Sequence, residues 1–233
     1  MKVVILAGGY GTRLSEYTDT IPKPMVPIGG KPILEHIMDI YSNFGHKDFY
    51  IALGYKGDVI KSHFQNFKKK DWKINLIETG SDTLTGGRLK RLENFLSKET
   101  FLLTYGDGIS NIDINKLIEF HKSHKQMVTI SAVRPPARFG SLSLKGNNVI
   151  KFQEKKQLGE SWINGGFFVV NPEFFKFLKD DKTVLEKEPL ESITNLKKLK
   201  AYKHEGFWQC MDHKLDKDYL EQLIVEKKAP WII

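Results

Sequence analysis

Hydrophobic residues arrive along this chain in short runs, and the runs alternate between two periods. Val3-Val4-Ile5-Leu6 is a compact apolar run stopped by Gly8-Gly9, and its length and β-branching predict a buried strand. The Gly- and Pro-rich stretch that follows, to Pro32, is too broken for regular structure. From Ile33 the spacing turns helical: Ile33, Leu34, Ile37, Met38, Tyr41 and Phe44 share a face, and Gly45 ends the run. Residues 49–53 read as a second strand, and Val59, Ile60, His63, Phe64 and Phe67 mark a second helix. The alternation then repeats, with strands at 74–77, 101–105 and 128–133 and helices at 89–95 and 113–124, the last with Asp113 as its N-cap. Strands alternating with helices imply crossover connections, hence an α/β fold with a mainly parallel sheet covered on both faces.

Past Pro135-Pro136 the texture changes. Short alternating segments at 142–144, 149–153 and 167–170 predict a small antiparallel or mixed addition, and Leu215, Tyr219, Leu220, Leu223 and Ile224 predict a closing helix. No internal repeat or low-complexity linker interrupts the 233 residues, so they read as a single domain, 1–233.

Composition narrows the classes. At 40% hydrophobic and 27% charged, the chain is no disordered polymer, and no apolar run reaches the ~18–20 residues of a membrane span. The N-terminus carries one Lys and a short apolar run without a cleavage pattern, which predicts a cytoplasmic protein. A single cysteine, Cys210, leaves no intramolecular disulfide and no cysteine-rich zinc site. The net charge of +8 favours polyanionic partners: nucleic acid, an anionic membrane surface or phosphorylated small molecules.

Position chooses among these better than composition does. Leu6-Ala7-Gly8-Gly9-Tyr10-Gly11-Thr12-Arg13-Leu14 follows the first strand directly. Its glycines let backbone N–H groups approach an anion, and Arg13 adds a forked cation. The segment lacks both the third glycine of a dinucleotide fingerprint and the Gly-Lys-Ser/Thr ending of a P-loop, and a plain glycine turn stays open as its other reading. Pro22-Lys23-Pro24-Met25 holds Lys23 between two residues of fixed φ. Thr104-Tyr105-Gly106-Asp107-Gly108 ends a strand in an aspartate, where ligands of open α/β sheets collect, and a carboxylate there suits Mg²⁺ on nucleotide phosphates. Asp212, in Gly206-Phe207-Trp208-Gln209-Cys210-Met211-Asp212, is the candidate second carboxylate.

Together, GGYGTRL with PKPM, the strand-ending YGDG, FQEK at 152–155, INGGFFV at 163–169 and the late GFWQ-x-MD resemble the sugar-phosphate nucleotidyltransferases. LTGGRLKR at 84–91, Arg138-Phe139-Gly140, Glu188-Pro189-Leu190 and Ala229-Pro230-Trp231 draw the likeness toward the members that transfer cytidylyl groups to glucose 1-phosphate. The resemblance implies a Rossmann-like, GT-A-like fold, with residues 1–134 serving the nucleotide and 135–233 the sugar phosphate. It implies that Gly8, Gly9, Gly11, Thr12 and Arg13 hold the CTP phosphates, with Leu6 and Ala7 beside the base. Lys23 would balance charge at the reacting phosphates, and Thr85, Gly86 and Gly87 would contact cytosine or ribose. Asp107 and Asp212 would hold Mg²⁺. Glu154 would bond sugar hydroxyls, Lys155 would meet the sugar phosphate, Asn164 and Gly165 would line the sugar pocket, and Gly140 would keep it open.

The implied reaction is in-line attack of a sugar-phosphate oxygen on the α-phosphorus of CTP, giving CDP-glucose and pyrophosphate. Arg13, Lys23, Asp107 and Lys155 are the catalytic candidates. The resemblance also implies a homo-oligomer and a place in the supply of sugars for bacterial surface polysaccharide, with neither nucleic acid nor membrane as partner. A different sugar 1-phosphate or NTP, or a non-catalytic nucleotide-binding regulator of the same fold, are the alternatives. Three departures stand out: a short stretch between Phe67 and Glu78, Cys210 where the family has proline, and His213 where it has threonine, read here as a helix-start residue. Among weaker candidates, His121 and His124 at i, i+3 read as a solvated helix face, Lys68-Lys69-Lys70 as a solvated run, the four tryptophans as packing, and Cys210 as an inert thiol.

Overall fold

The computed structural model describes residues 1–65, 67, 71–135, 141–153 and 161–232. Its centre is a seven-stranded sheet in the order Leu199–His204, Val128–Val133, Ile163–Val170, Phe101–Tyr105, Lys2–Leu6, Asp48–Leu53, Lys73–Glu78. Lys2–Leu6 runs parallel to both Asp48–Leu53 and Phe101–Tyr105, Lys73–Glu78 continues parallel to Asp48–Leu53, and Leu199–His204 lies parallel to Val128–Val133. Ile163–Val170 alone is antiparallel to both its neighbours. The apolar segment at 167–170, expected to belong to an appended unit, is therefore part of the central sheet. It reads as a continuous apolar run because it is covered on both faces, like the parallel strands beside it.

That double cover is visible within single strands. Val3 and Ile5 join one buried cluster with the helices Ile33–Asn43, Gly57–Gln65, Ile114–His124 and Lys214–Val225. Val4 and Leu6 join the other, with Leu89, Leu92, Leu96, Phe174, Phe175, Leu190 and Ile193. Each fully buried aliphatic side chain contributes ~1.5–3 kcal/mol, which fixes strand register because a slip of one residue would exchange the two clusters.

Smaller elements depart from the pattern-based expectations. The stretch before Pro32 holds short ordered pieces, among them the 3₁₀ turns Thr12–Leu14 and Lys23–Met25 and a paired Pro27–Ile28 and Lys31–Pro32. The helix expected at 89–95 is two helices, Thr85–Lys90 and Glu93–Leu96. Ser141–Lys145 and Asn148–Gln153 do form a separate antiparallel pair. Asp113 caps Ile114–His124, accepting from Lys116 N at 3.0 Å. His121 is buried rather than solvated: its Nδ1 and the Nε2 of His124 both meet Thr129 Oγ1 at 2.8 Å, tying that helix to the sheet.

Candidate active site

The chain passes from Lys2–Leu6 outward to Asp48–Leu53 and Lys73–Glu78, then returns to Phe101–Tyr105 on the other side of the first strand. That reversal opens a crevice at the carboxyl end of Lys2–Leu6. A cavity of about 760 Å³ lies there, lined by Leu6 to Arg13, Lys23, Pro24, Ser81 to Thr85, Arg88, Tyr105 to Asp107, Lys182, Cys210 and Asp212.

The glycine loop is fastened at its base by Ala7 N to Ala52 O (3.0 Å) and Tyr55 N to Gly8 O (3.1 Å). Gly11 turns the chain at φ +66°, a left-handed conformation that favours glycine, and Leu14 N closes the turn on Gly11 O at 2.9 Å. Arg13, largely exposed, reaches Asp212 Oδ2 at 2.8 Å.

Two distant carboxylates meet for a local reason. Trp208–Cys210 pairs antiparallel with Gly108–Ser110, Cys210 opposite Gly108, and Met211 N donates to Asp107 O at 2.9 Å. Asp107 and Asp212 thus flank the same point, and Lys23 Nζ occupies it, 2.7 Å from Asp107 Oδ2 and 2.7 Å from Asp212 Oδ1. Burial alone would draw the Lys23 ammonium down, but the two carboxylates outweigh it and hold its pKa above the ordinary lysine value. Burial likewise pushes Asp212 up, and Lys23 with Arg13 overcomes this to hold it below the ordinary carboxylate value. Asp216 steadies the same turn, its Oδ2 accepting from Asp212 N (3.0 Å) and His213 N (2.9 Å), so His213 does stand at the helix start. Burial, then Asp212 and Asp107, push the Cys210 thiol up to about 12, which leaves it an inert neutral group.

Arg88 is the largest contributor that motif reading missed. Its buried guanidinium donates to Leu53 O (3.0 Å), Thr79 Oγ1 (2.8 Å), Gly80 O (2.6 Å), Gly8 O (2.8 Å) and Ser81 O (3.1 Å). One side chain thereby joins the glycine loop, a strand end and the loop opposite. Gly86 and Gly87, expected beside the base, do not line the cavity. They pack on the turn at 181–183, and their N–H groups donate to Thr183 O at 2.9 and 3.1 Å. Thr85 does line it, with its hydroxyl on Glu186. Asn164 and Gly165 stand one layer back: Asn164 Nδ2 reaches the Tyr105 hydroxyl at 3.2 Å, and Gly165 O accepts from Trp208 Nε1 at 2.7 Å. Gly140, Glu154 and Lys155 lie outside the described residues, as does the run Lys68 to Lys70. Tyr10 and Tyr105, inside quoted motifs but given no role there, line the cavity, as do Ser81, Asp82, Thr83 and Lys182, which no motif contained.

A model of the nucleotidyl transferase family matches residues 2–212. The chain belongs to this family. Among nucleotidyltransferases, it is 47% identical to glucose-1-phosphate cytidylyltransferase of Salmonella typhimurium, covering 99% of this chain and 98% of that protein. That alignment runs over 253 positions against 233 residues, so the relative carries segments that this nucleotidyltransferase lacks. Identity to mannose-1-phosphate guanyltransferase of Saccharomyces cerevisiae is 32%, over 97% of this chain and 64% of the yeast protein. Among solved structures, HddC from Yersinia pseudotuberculosis complexed with GMP-PN is similar at a TM-score of 0.75 and 28% identity, covering 96% of this chain and 99% of that one.

Proposed function

We propose that this nucleotidyltransferase joins CTP to α-D-glucose 1-phosphate, releasing pyrophosphate and CDP-glucose. The observation that carries the proposal is the Lys23 ammonium between Asp107 and Asp212 at a strand-end cavity roofed by the glycine loop. The relative of 47% identity, whose name states this reaction, supports the choice of substrates.

The chemistry asks for little beyond alignment and charge. Two anions must approach until a sugar-phosphate oxygen attacks the α-phosphorus in line with the departing pyrophosphate, so no protein nucleophile is required. We assign the loop N–H groups of Gly8, Gly9 and Gly11, with Thr12, to the triphosphate, and Leu6, Ala7 and Thr85 to the nucleoside. Arg13 and Lys23 lie on the phosphate side and offset the repulsion between the substrates. Gly140, Glu154, Lys155 and the layer of Asn164 and Gly165 serve the sugar phosphate in this reading.

Asp107 and Asp212 each turn one oxygen to a single cation, a hard-oxygen pair that fits Mg²⁺. Among the described residues no group of three or more His, Cys, Asp or Glu converges, so the remaining ligands would be water and phosphate oxygens. When bound, the ion supplies further neutralisation of phosphate charge. Lys23, beside the same two carboxylates, would offset further phosphate charge.

No helix among the described residues is long and apolar enough to cross a membrane, and we place the enzyme in the cytoplasm as a homo-oligomer. The test is pyrophosphate release from each of four NTPs against several sugar 1-phosphates. CTP with glucose 1-phosphate is expected to lead. Preference for another pair would reassign the substrates, and no release from any pair would mark a nucleotide-binding regulator.

A further inference from the structure

Glu186 is exposed, yet both of its carboxylate oxygens are engaged by residues lining the cavity. Tyr105 OH donates to Oε1 at 2.6 Å, and Thr85 Oγ1 donates to Oε2 at 2.7 Å. Its backbone is held in place: Leu185, buried, donates its N–H to Thr85 Oγ1 at 2.9 Å, and Thr183 O takes the N–H groups of Gly86 and Gly87. The carboxylate therefore reaches Tyr105 and Thr85 from a fixed point, although the three belong to segments far apart in the chain.

The direction of these bonds matters more than their number. A hydroxyl has one proton to give, and an ionised carboxylate can only accept. With their protons committed to Glu186, the oxygens of Tyr105 and Thr85 have only lone pairs left. Asn164 Nδ2 uses one on Tyr105 and Leu185 N uses one on Thr85, so each oxygen keeps a single acceptor site.

We propose that Glu186 is a positioning residue that fixes the hydrogen-bond polarity of this wall, leaving Tyr105 and Thr85 as acceptors toward donor groups of the bound substrates. The fitting donors are hydroxyls of the hexose and ribose or an exocyclic amine of the base. A carboxylate suits this wall because the substrate parts near it are neutral, with the phosphates on the Arg13 and Lys23 side. The proposal rests on the cavity being the active site.

Glu186→Gln keeps the shape but offers one acceptor and two donors, so at least one hydroxyl must reverse. The KM for CTP or for glucose 1-phosphate is expected to rise roughly ten-fold, the scale of one charge-assisted hydrogen bond, with a smaller change in kcat and an unchanged thermal melt. Tyr105→Phe and Thr85→Val should raise the same constants, and adding Glu186→Gln to that pair should add little. Wild-type KM values for Glu186→Gln would overturn the proposal. So would effects that multiply fully with those of Tyr105→Phe and Thr85→Val. If Arg13→Ala and Lys23→Ala cut turnover while all three wall variants behave as wild type, the wall reading fails alone. If none of the five matters, the active-site reading fails with it.

Discussion

Gly8 and Gly9 are neighbours in one loop, yet the structure asks different things of them. A Cβ on Gly8 would stand 2.3 Å from the Arg88 guanidinium, which cannot move without abandoning five acceptors. A Cβ on Gly9 would meet nothing within 4 Å. Gly8→Ala should therefore lower unfolding free energy by ~1–3 kcal/mol, the range for stranding buried polar groups. Gly9→Ala should stay within ~0.5 kcal/mol, as open positions do, and instead weaken nucleotide binding if phosphate oxygens approach its backbone. Urea midpoints and a CTP titration separate the two effects, and equal losses of stability would contradict the distinction. In the sequence all the loop glycines looked like one anion cradle. The difference was invisible because the arginine that makes Gly8 obligatory lies 80 residues away. Lys23, Asp107 and Asp212 were each legible as candidates, but their ion pairing was not, since the two carboxylates meet only through the pairing of 208–210 with 108–110. Lys23→Ala is expected to cut turnover by ~10²–10³, as the loss of one preorganised charge contact does. A folded variant with near-normal turnover would refute the role.

At the scale of elements, periodicity found what is long and one-sided and missed what is set by packing. Ile33–Asn43 and Ile114–His124 were plain because each buries one face. Thr85–Lys90 was not, because its first turn contains Gly86-Gly87, poor helix formers that carry no apolar signal. Their absent side chains are the reason the helix sits where it does. A Cβ on Gly87 would lie 2.5 Å from Asp181 Cα, a backbone atom with no rotamer to change. Gly87→Ala should thus cost ~1–3 kcal/mol by overpacking, despite the better helix propensity of alanine. A raised urea midpoint would mean the contact yields. Leu199–His204 escaped notice for another reason: its side chains are half-buried or exposed, the pattern of an edge strand.

For the whole molecule, pH sets the limits of stability. His36 is buried, its Nε2 bonded to Ile28 O at 2.9 Å and its Nδ1 accepting from Trp231 Nε1 at 3.2 Å, and burial lowers its pKa to about 4. The unfolded chain binds that proton near 6.5, so the contribution of neutral His36 is complete above 6.5 and is lost as pH falls toward 4. A shift of that size corresponds to roughly 2–4 kcal/mol. Asp212, depressed in the fold, contributes fully above its ordinary 3.8 and loses this as pH falls further. Lys23, raised in the fold, contributes fully below its ordinary 10.5 and loses this as pH rises beyond it. The melting temperature should therefore decline between pH 6.5 and 4, ahead of carboxylate protonation. A flat profile over that interval would contradict the buried-histidine account.

The ion pairs of Asp212 with Arg13 and Lys23, and the Trp231–His36 bond, each join residues nearly 200 positions apart. During synthesis the glycine loop leaves the ribosome long before Asp212 has been made. A nascent chain can build the first strands and helices, but it cannot yet balance Lys23 with both carboxylates, Asp107 and Asp212. The Arg13 and Lys23 ion pairs therefore form only once Asp212 has been synthesised, and a chain ending before it would carry the glycine loop without that carboxylate.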